Sequence, residues 1–170
     1  MSCSKSDDVG GGQSGDDMDM VDDSNGNSGN ELDDAPDFSI ETTSGETIRN
    51  TDFDGKNLVI FFLGAECSPC RGIAPDVEEM LYQKFKDNDK FAMIGGDQWN
   101  MNDAAVDDFV SATGVTFPIG TMAGTMARDF RSTYDRLVIV NIDGKIVFRG
   151  SNRVSNHLEQ GIEVVQELLQ

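Results

Sequence analysis

The chain has 170 residues, and its 31 Asp and Glu against 13 Lys and Arg give a formal net charge of −18. A surface this acidic repels a phosphate backbone, which argues against nucleic acid as a partner. No apolar run approaches the roughly 20 residues that a membrane-spanning helix needs.

Charge divides the chain. Residues 1–34 hold ten acids against one Lys, so they carry −9, and the remaining 21 acids and 12 bases give residues 35–170 another −9. In the first stretch Val9, Val21 and Leu32 are the only aliphatic side chains besides methionines. Such a segment buries too little apolar surface to offset its ordering entropy and is expected to be disordered. Met1-Ser2-Cys3 resembles the start of a bacterial lipoprotein after its signal peptide is lost, with Cys3 as the lipidated residue and the tail as a tether. The plainer alternative is a stray exposed thiol in a flexible leader.

From Ala35-Pro36 onward the pattern is that of a folded domain, over residues 35–170. Phe38 and Ile40 alternate with polar residues, Ser44-Gly45 signals a turn, and Thr47-Ile48-Arg49 returns as a second short strand, an N-terminal β-hairpin. After the Asp54-Gly55 turn, Leu58 to Leu63 reads as a strand buried on both faces. A helix starting at Ser68 or Pro69 shows Ile73, Val77, Leu81 and Phe85 on one side. Glu78, Glu79, Lys84 and Lys86 are free to face water, and Pro75 should kink it. Phe91 to Ile94 is the next strand. Asn102 or Asp103 can cap a helix carrying Val106, Phe109 and Val110, with Gly114 to end it. Phe117-Pro118-Ile119 is extended, and Met122, Met126 and Phe130 stripe a third helix as core filling. Strands over 137–142 and 145–148 flank the Asp143-Gly144 turn, and Leu158, Ile162, Val165 and Leu169 line a closing helix. The order predicts an α/β fold with a central mixed sheet and helices on both faces.

The chemistry is concentrated in Cys67-Ser68-Pro69-Cys70, set behind the buried strand. Two thiols three positions apart can close a small disulfide and open it again. Pro69 is tolerated only in the first turn of a helix, which puts Cys67 at the helix N-terminus, where unpaired N–H groups and the macrodipole favour a thiolate. The alternatives are an inert structural disulfide or half of a zinc site. Only Cys3 and His157 remain as further soft ligands, and neither has a neighbour of its own kind.

The segment 67–75, Cys-Ser-Pro-Cys-Arg-Gly-Ile-Ala-Pro, resembles the active-site stretch of thioredoxin-fold oxidoreductases, Pro75 included. Ala35-Pro36-Asp37-Phe38, Gly55-Lys56, Phe117-Pro118-Ile119 and the hairpin around Asn141 to Val147 extend the likeness to the TlpA-like branch of the redoxins, over about residues 35–169. The resemblance implies a thioredoxin-like fold and a thiol–disulfide oxidoreductase, probing client disulfides with Cys67 as the attacking thiolate and Cys70 as the resolving thiol. It implies no cofactor beyond the Cys67/Cys70 disulfide and no metal. It further implies an extracytoplasmic, monomeric reductant of protein clients, recharged by an upstream donor such as a membrane thiol transporter, with membrane contact only through a lipid anchor at Cys3. Glu66, Ser68, Pro69, Arg71, Pro75, Asp135 and Arg136 are the residues expected to modulate the site.

Three departures from the family pattern stand out. Glu66 replaces the usual aromatic before the first Cys, and is expected either to oppose thiolate formation at Cys67 or simply to point into water. Phe61 stands where many relatives carry a buried polar group, so the central strand offers the Cys70 proton no acceptor, and Glu66 is expected to serve in its place. Tyr134-Asp135-Arg136 occupies the place of the family's cis-proline. Arg136 keeps open an alternative, a peroxiredoxin-type thiol peroxidase with Cys67 as the peroxidatic cysteine, although the Pro and Thr or Ser that such chemistry needs are missing from 62–66. A Sco-type copper chaperone would need His157, which is expected at a surface or capping position, and a redox-inert binding module is the remaining reading. Arg71 is expected to be a solvated charge, and the Trp99 loop either to pack near the thiols or to face a client.

Overall fold

The computed structural model describes residues 32–170. The expected disorder of the acidic tail and the lipidation of Cys3 fall, apart from residues 32–34, outside the described residues. Asp33 and Asp34, just ahead of the expected domain start, are already tied down. The carbonyl of Asp33 accepts the Ile146 N–H at 2.8 Å, its carboxylate pairs with Arg149, and Asp34 pairs with Lys145.

Seven strands form one mixed sheet: β1 (Ser39–Thr42), β2 (Thr47–Arg49), β3 (Asn57–Leu63), β4 (Phe91–Asp97), β5 (Ile119–Thr121), β6 (Arg136–Val140) and β7 (Ile146–Arg149), in the spatial order β2-β1-β5-β4-β3-β6-β7. The pairs β3–β4 and β4–β5 are parallel, as their helical crossovers require. The two hairpins supply the antiparallel flanks, β1 against β5 and β6 against β3. The fold is thioredoxin-like, with helices on both faces of the sheet.

All seven residues of β3 are buried. Its alternation assigns each face a core. Val59, Phe61 and Leu63 point to the face covered by α1 (Ser68–Val77), α3 (Asp103–Thr113) and α5 (Val154–Leu168). Leu58, Ile60 and Phe62 point to the other face, with Phe38, Ile40 and the short α4 (Gly124–Asp129). Both cysteines of the motif belong to the first core.

Two expectations are corrected. Met122 is not helical: it lies in the left-handed region at φ 55° and is 62% exposed, turning the chain out of β5 before α4 begins at Gly124. The Gly124 N–H donates to Asn100 Oδ1, which fixes that start. Glu78 does not face water. After Pro75 the helix continues and widens into a π-helical turn, Glu78–Tyr82, followed by the short α2 (Gln83–Phe85). Glu78 follows Ala74 by four positions and precedes Leu81 by three, on the same helix face, and it turns inward with them to 9% exposure.

There the Glu78 carboxylate accepts the Thr116 N–H at 2.9 Å, the Thr116 hydroxyl and the Gln83 amide, latching the helix to the loop before β5. Burial pushes its pKa up, but these donors outweigh burial and hold the carboxyl below its usual value. The ionised form is therefore favoured by folding, and its stabilisation is complete above the ordinary Glu range and lost as pH falls through and below it. Glu78→Gln should lower stability at neutral pH by about 1–3 kcal/mol and flatten the acid limb of the profile, as read by denaturant unfolding between pH 3 and 7.

Candidate functional site

β3 ends at Leu63, and the next four residues turn the chain into α1. Cys67 is the N-cap of that helix, with extended backbone at φ −71° and ψ 114°, and Pro69 sits in its first turn. Cys67 Sγ accepts the Cys70 N–H at 3.2 Å, so the sulfur stands where a capping oxygen would. Cys67 and Cys70 are joined in a disulfide, with Cα atoms 5.2 Å apart. The two sulfurs differ in access. Cys70 is fully buried in the apolar core. Cys67 exposes only 2% of its surface but lies in the wall of a cleft of about 420 Å³, between Ser68 and Pro69 on one side and Trp99, Tyr134 and Arg136 on the other.

Of the expected modulating residues, Ser68, Pro69, Asp135 and Arg136 meet at this cleft. Glu66 is exposed and Pro75 is exposed on α1, and neither lines it. Arg71 is not a solvated charge. Its Nε donates to the Ala65 carbonyl at 2.9 Å, its Nη2 pairs with Asp108 at 2.8 Å, and the guanidinium lies 5.9 Å from the Phe109 ring centroid. It clamps the turn before the cysteines to α3. Phe61 is fully buried and packs on Phe117, so the central strand offers the thiols an apolar floor.

No residue in the place of the cis-proline mimics its backbone. Asp135 takes a left-handed conformation, φ 56°, and is 5% exposed. Its carbonyl and its Oδ1 both accept the Val154 N–H, at 3.1 and 3.3 Å, docking the start of α5 onto the cleft wall. Arg136 Nη1 donates to the Gly150 carbonyl at 3.1 Å. His157 is buried rather than superficial or capping. Its Nε2 accepts the Leu137 N–H at 3.2 Å, which requires the neutral ring, with the proton on Nδ1. Burial pushes its pKa down, and Arg136 adds to this, against the opposing pull of Asp135. With Nε2 so engaged, His157 is a poor ligand for copper. Among the described residues no three His, Cys, Asp or Glu cluster as metal ligands would.

Two residues that the sequence reading passed over shape the site. Asp97, at the end of β4, is fully buried, and its carboxylate accepts N–H groups from Ala65, Trp99 and Met101 at 3.0, 3.3 and 2.6 Å. A carboxylate ending a buried strand is the signal that would have found it. Gly64 is the seat of Trp99: a Cβ there would lie 2.5 Å from the indole. Trp99 in turn meets Tyr134 edge to face, with ring centroids 5.2 Å apart. Gly64→Ala should displace the indole, shifting the emission of this single Trp and costing about 1–3 kcal/mol in denaturant unfolding.

The geometry agrees with the known proteins that this chain resembles. ResA, a thiol-disulfide oxidoreductase of Bacillus subtilis, is 30% identical over 118 residues, covering 67% of this chain and 63% of that protein. The chain spans at most 65% of the length of such ResA relatives. The solution structure of a candidate protein disulfide isomerase from Bacteroides thetaiotaomicron superposes with a TM-score of 0.71 at 29% identity, covering 81% of this chain and 88% of that one. The thioredoxin domain of a thiol-disulfide oxidoreductase from Bacteroides vulgatus shares the fold, with a TM-score of 0.67 at 19% identity, covering 81% and 96% of the two chains. The family model for redoxins matches residues 30–163, nearly the whole described body, and the chain belongs to the Redoxin family.

Proposed function

We propose that this protein is a thiol–disulfide oxidoreductase that reduces protein disulfides with the Cys67/Cys70 pair. The observation that carries the reading is the asymmetry of the pair: a disulfide at a helix N-terminus with Cys67 on a cleft and Cys70 sealed behind it. In the dithiol form the Cys67 thiolate attacks a client disulfide and forms a mixed disulfide, releasing one client sulfur. Cys70 then attacks Cys67 Sγ, releases the second client thiolate and restores the Cys67–Cys70 bond. Two electrons pass to the client, and the Cys70 proton leaves with the released thiol. The disulfide itself is the only redox group that the reaction needs.

The protein works outside the cytoplasm on specific protein clients, as a monomer recharged by an upstream thiol donor such as a membrane thiol transporter; this part of the proposal rests on the resemblance to the TlpA-like redoxins. An anchor at Cys3, with the acidic stretch ahead of Asp33 as its tether, would give the domain reach from a membrane surface.

Insulin reduction in the presence of dithiothreitol should be abolished by Cys67→Ser, whereas Cys70→Ser should still attack and accumulate a mixed disulfide visible by mass spectrometry. Titration against glutathione buffers should give a potential nearer the roughly −270 mV of thioredoxin than the roughly −120 mV of DsbA. A value above about −180 mV would overturn the assignment as a reductant.

A further inference from the structure

The cleft beside Cys67 carries charges that the exchange chemistry does not use. On this acidic body most arginines are neutralised within the fold: Arg71 by Asp108, Arg128 by Asp129, and Arg131 and Arg149 by Asp33. Arg136 and Arg153 have no carboxylate within salt-bridge distance among the described residues, and both line the cleft. Arg49, in β2, is the other such arginine. The one acid in the cleft wall, Asp135, is buried, and its Oδ1 accepts the Val154 N–H. Arg136 is anchored by one N–H on the Gly150 carbonyl, which leaves the rest of its fork for a ligand. Next to these cations, Trp99 and Tyr134 stand 40% and 43% exposed. A guanidinium fork matches a carboxylate in geometry as well as charge.

We propose, resting on the oxidoreductase reading above, that this cleft selects client segments that carry Asp or Glu beside the reactive cysteine. The Trp99–Tyr134 pair takes an apolar part of the peptide, and Arg136 and Arg153 take the flanking carboxylate. The field of the whole chain works against this choice. A net charge of −18 attracts basic peptides from a distance, so a preference for acidic ones can arise only from local contact.

The test uses the full chain in its dithiol form and three peptides of equal length without Trp or Tyr. Each holds a single cysteine as a mixed disulfide with 2-mercaptoethanol, flanked by Glu, Gln or Lys. Oxidation of the protein is followed by the fluorescence of Trp99. Each rate is divided by that peptide's rate with dithiothreitol, which removes differences in intrinsic disulfide reactivity. The Glu peptide should react about fivefold faster than the Gln peptide at low salt, from two partly exposed charge pairs, with the margin shrinking as salt rises. Arg136→Gln with Arg153→Gln should erase the margin. Arg153→Glu alone, an exposed change with little reach into folding, should bring the Glu peptide below the Gln peptide. Equal normalised rates, a preference for Lys, or a Glu preference that survives these variants would overturn the proposal. Failure of all three peptides to oxidise a dithiol that small disulfides do oxidise would instead overturn the protein-reductase reading.

Discussion

The carboxylate of Asp97 is the tie on which the site depends. It sits opposite Leu63 in the β3–β4 register, at the carboxyl ends of two parallel strands, where α/β sheets build their ligand sites. Left alone, a fully buried carboxylate would cost several kcal/mol. Three amides satisfy it, from Ala65 in the turn before the cysteines and from Trp99 and Met101 in the loop after β4. Its own carbonyl accepts the Ala123 N–H ahead of α4. One residue therefore sets the spacing between the disulfide loop and the aromatic loop that faces it, and Arg71 of α1 ties the same turn to Asp108 of α3.

The opposite wall is built from the last helix. Asp135, Arg136 and Leu137 are each fixed by the segment 150–157: the Val154 N–H reaches Asp135, Arg136 reaches the Gly150 carbonyl, and the Leu137 N–H reaches His157. Gly150 also leaves room for the imidazole, since a Cβ there would collide with the ring. A left-handed Asp is uncommon and has an energetic cost, although less than most residues would incur. Here the cost is offset by docking a helix N-terminus on its carboxylate. Where the family pattern places a proline, this chain holds the stretch through hydrogen bonds with Gly150 and with Val154 and His157 of α5.

What could be read in the sequence was what is encoded locally. The uninterrupted apolar run fixed β3, Pro69 fixed the start of α1 and with it the N-cap position of Cys67, and Asp143-Gly144 marked the β6–β7 turn. What escaped was encoded in pairs distant along the chain: Asp97 with Ala65, Gly64 with Trp99, Arg71 with Asp108, His157 with Leu137. An Arg beside a cysteine and a His in an amphipathic helix look solvated until the partner strand is placed. Glu78 escaped in the same way: a carboxylate beside Val77 and Leu81 looks like the wet edge of the helix until Thr116, on the loop before β5, supplies its donors.

The electrostatics of the pair follow from these placements. Capping by the Cys70 N–H and the axis of α1 favour negative charge on Cys67. The surroundings oppose it. Cys67 and Cys70 lie in a core lined by Phe61, Phe109 and Leu137, where removing a thiolate from water is costly. Glu66 stands in solvent, where its repulsion of a neighbouring thiolate is most effectively screened. Desolvation, rather than the adjacent carboxylate, is then what the cap and the cleft arginines Arg136 and Arg153 must outweigh. This balance sets the direction of exchange: the more desolvation prevails, the more the cysteines prefer to be bonded to each other and the more readily the pair gives its electrons away, which is the direction proposed above.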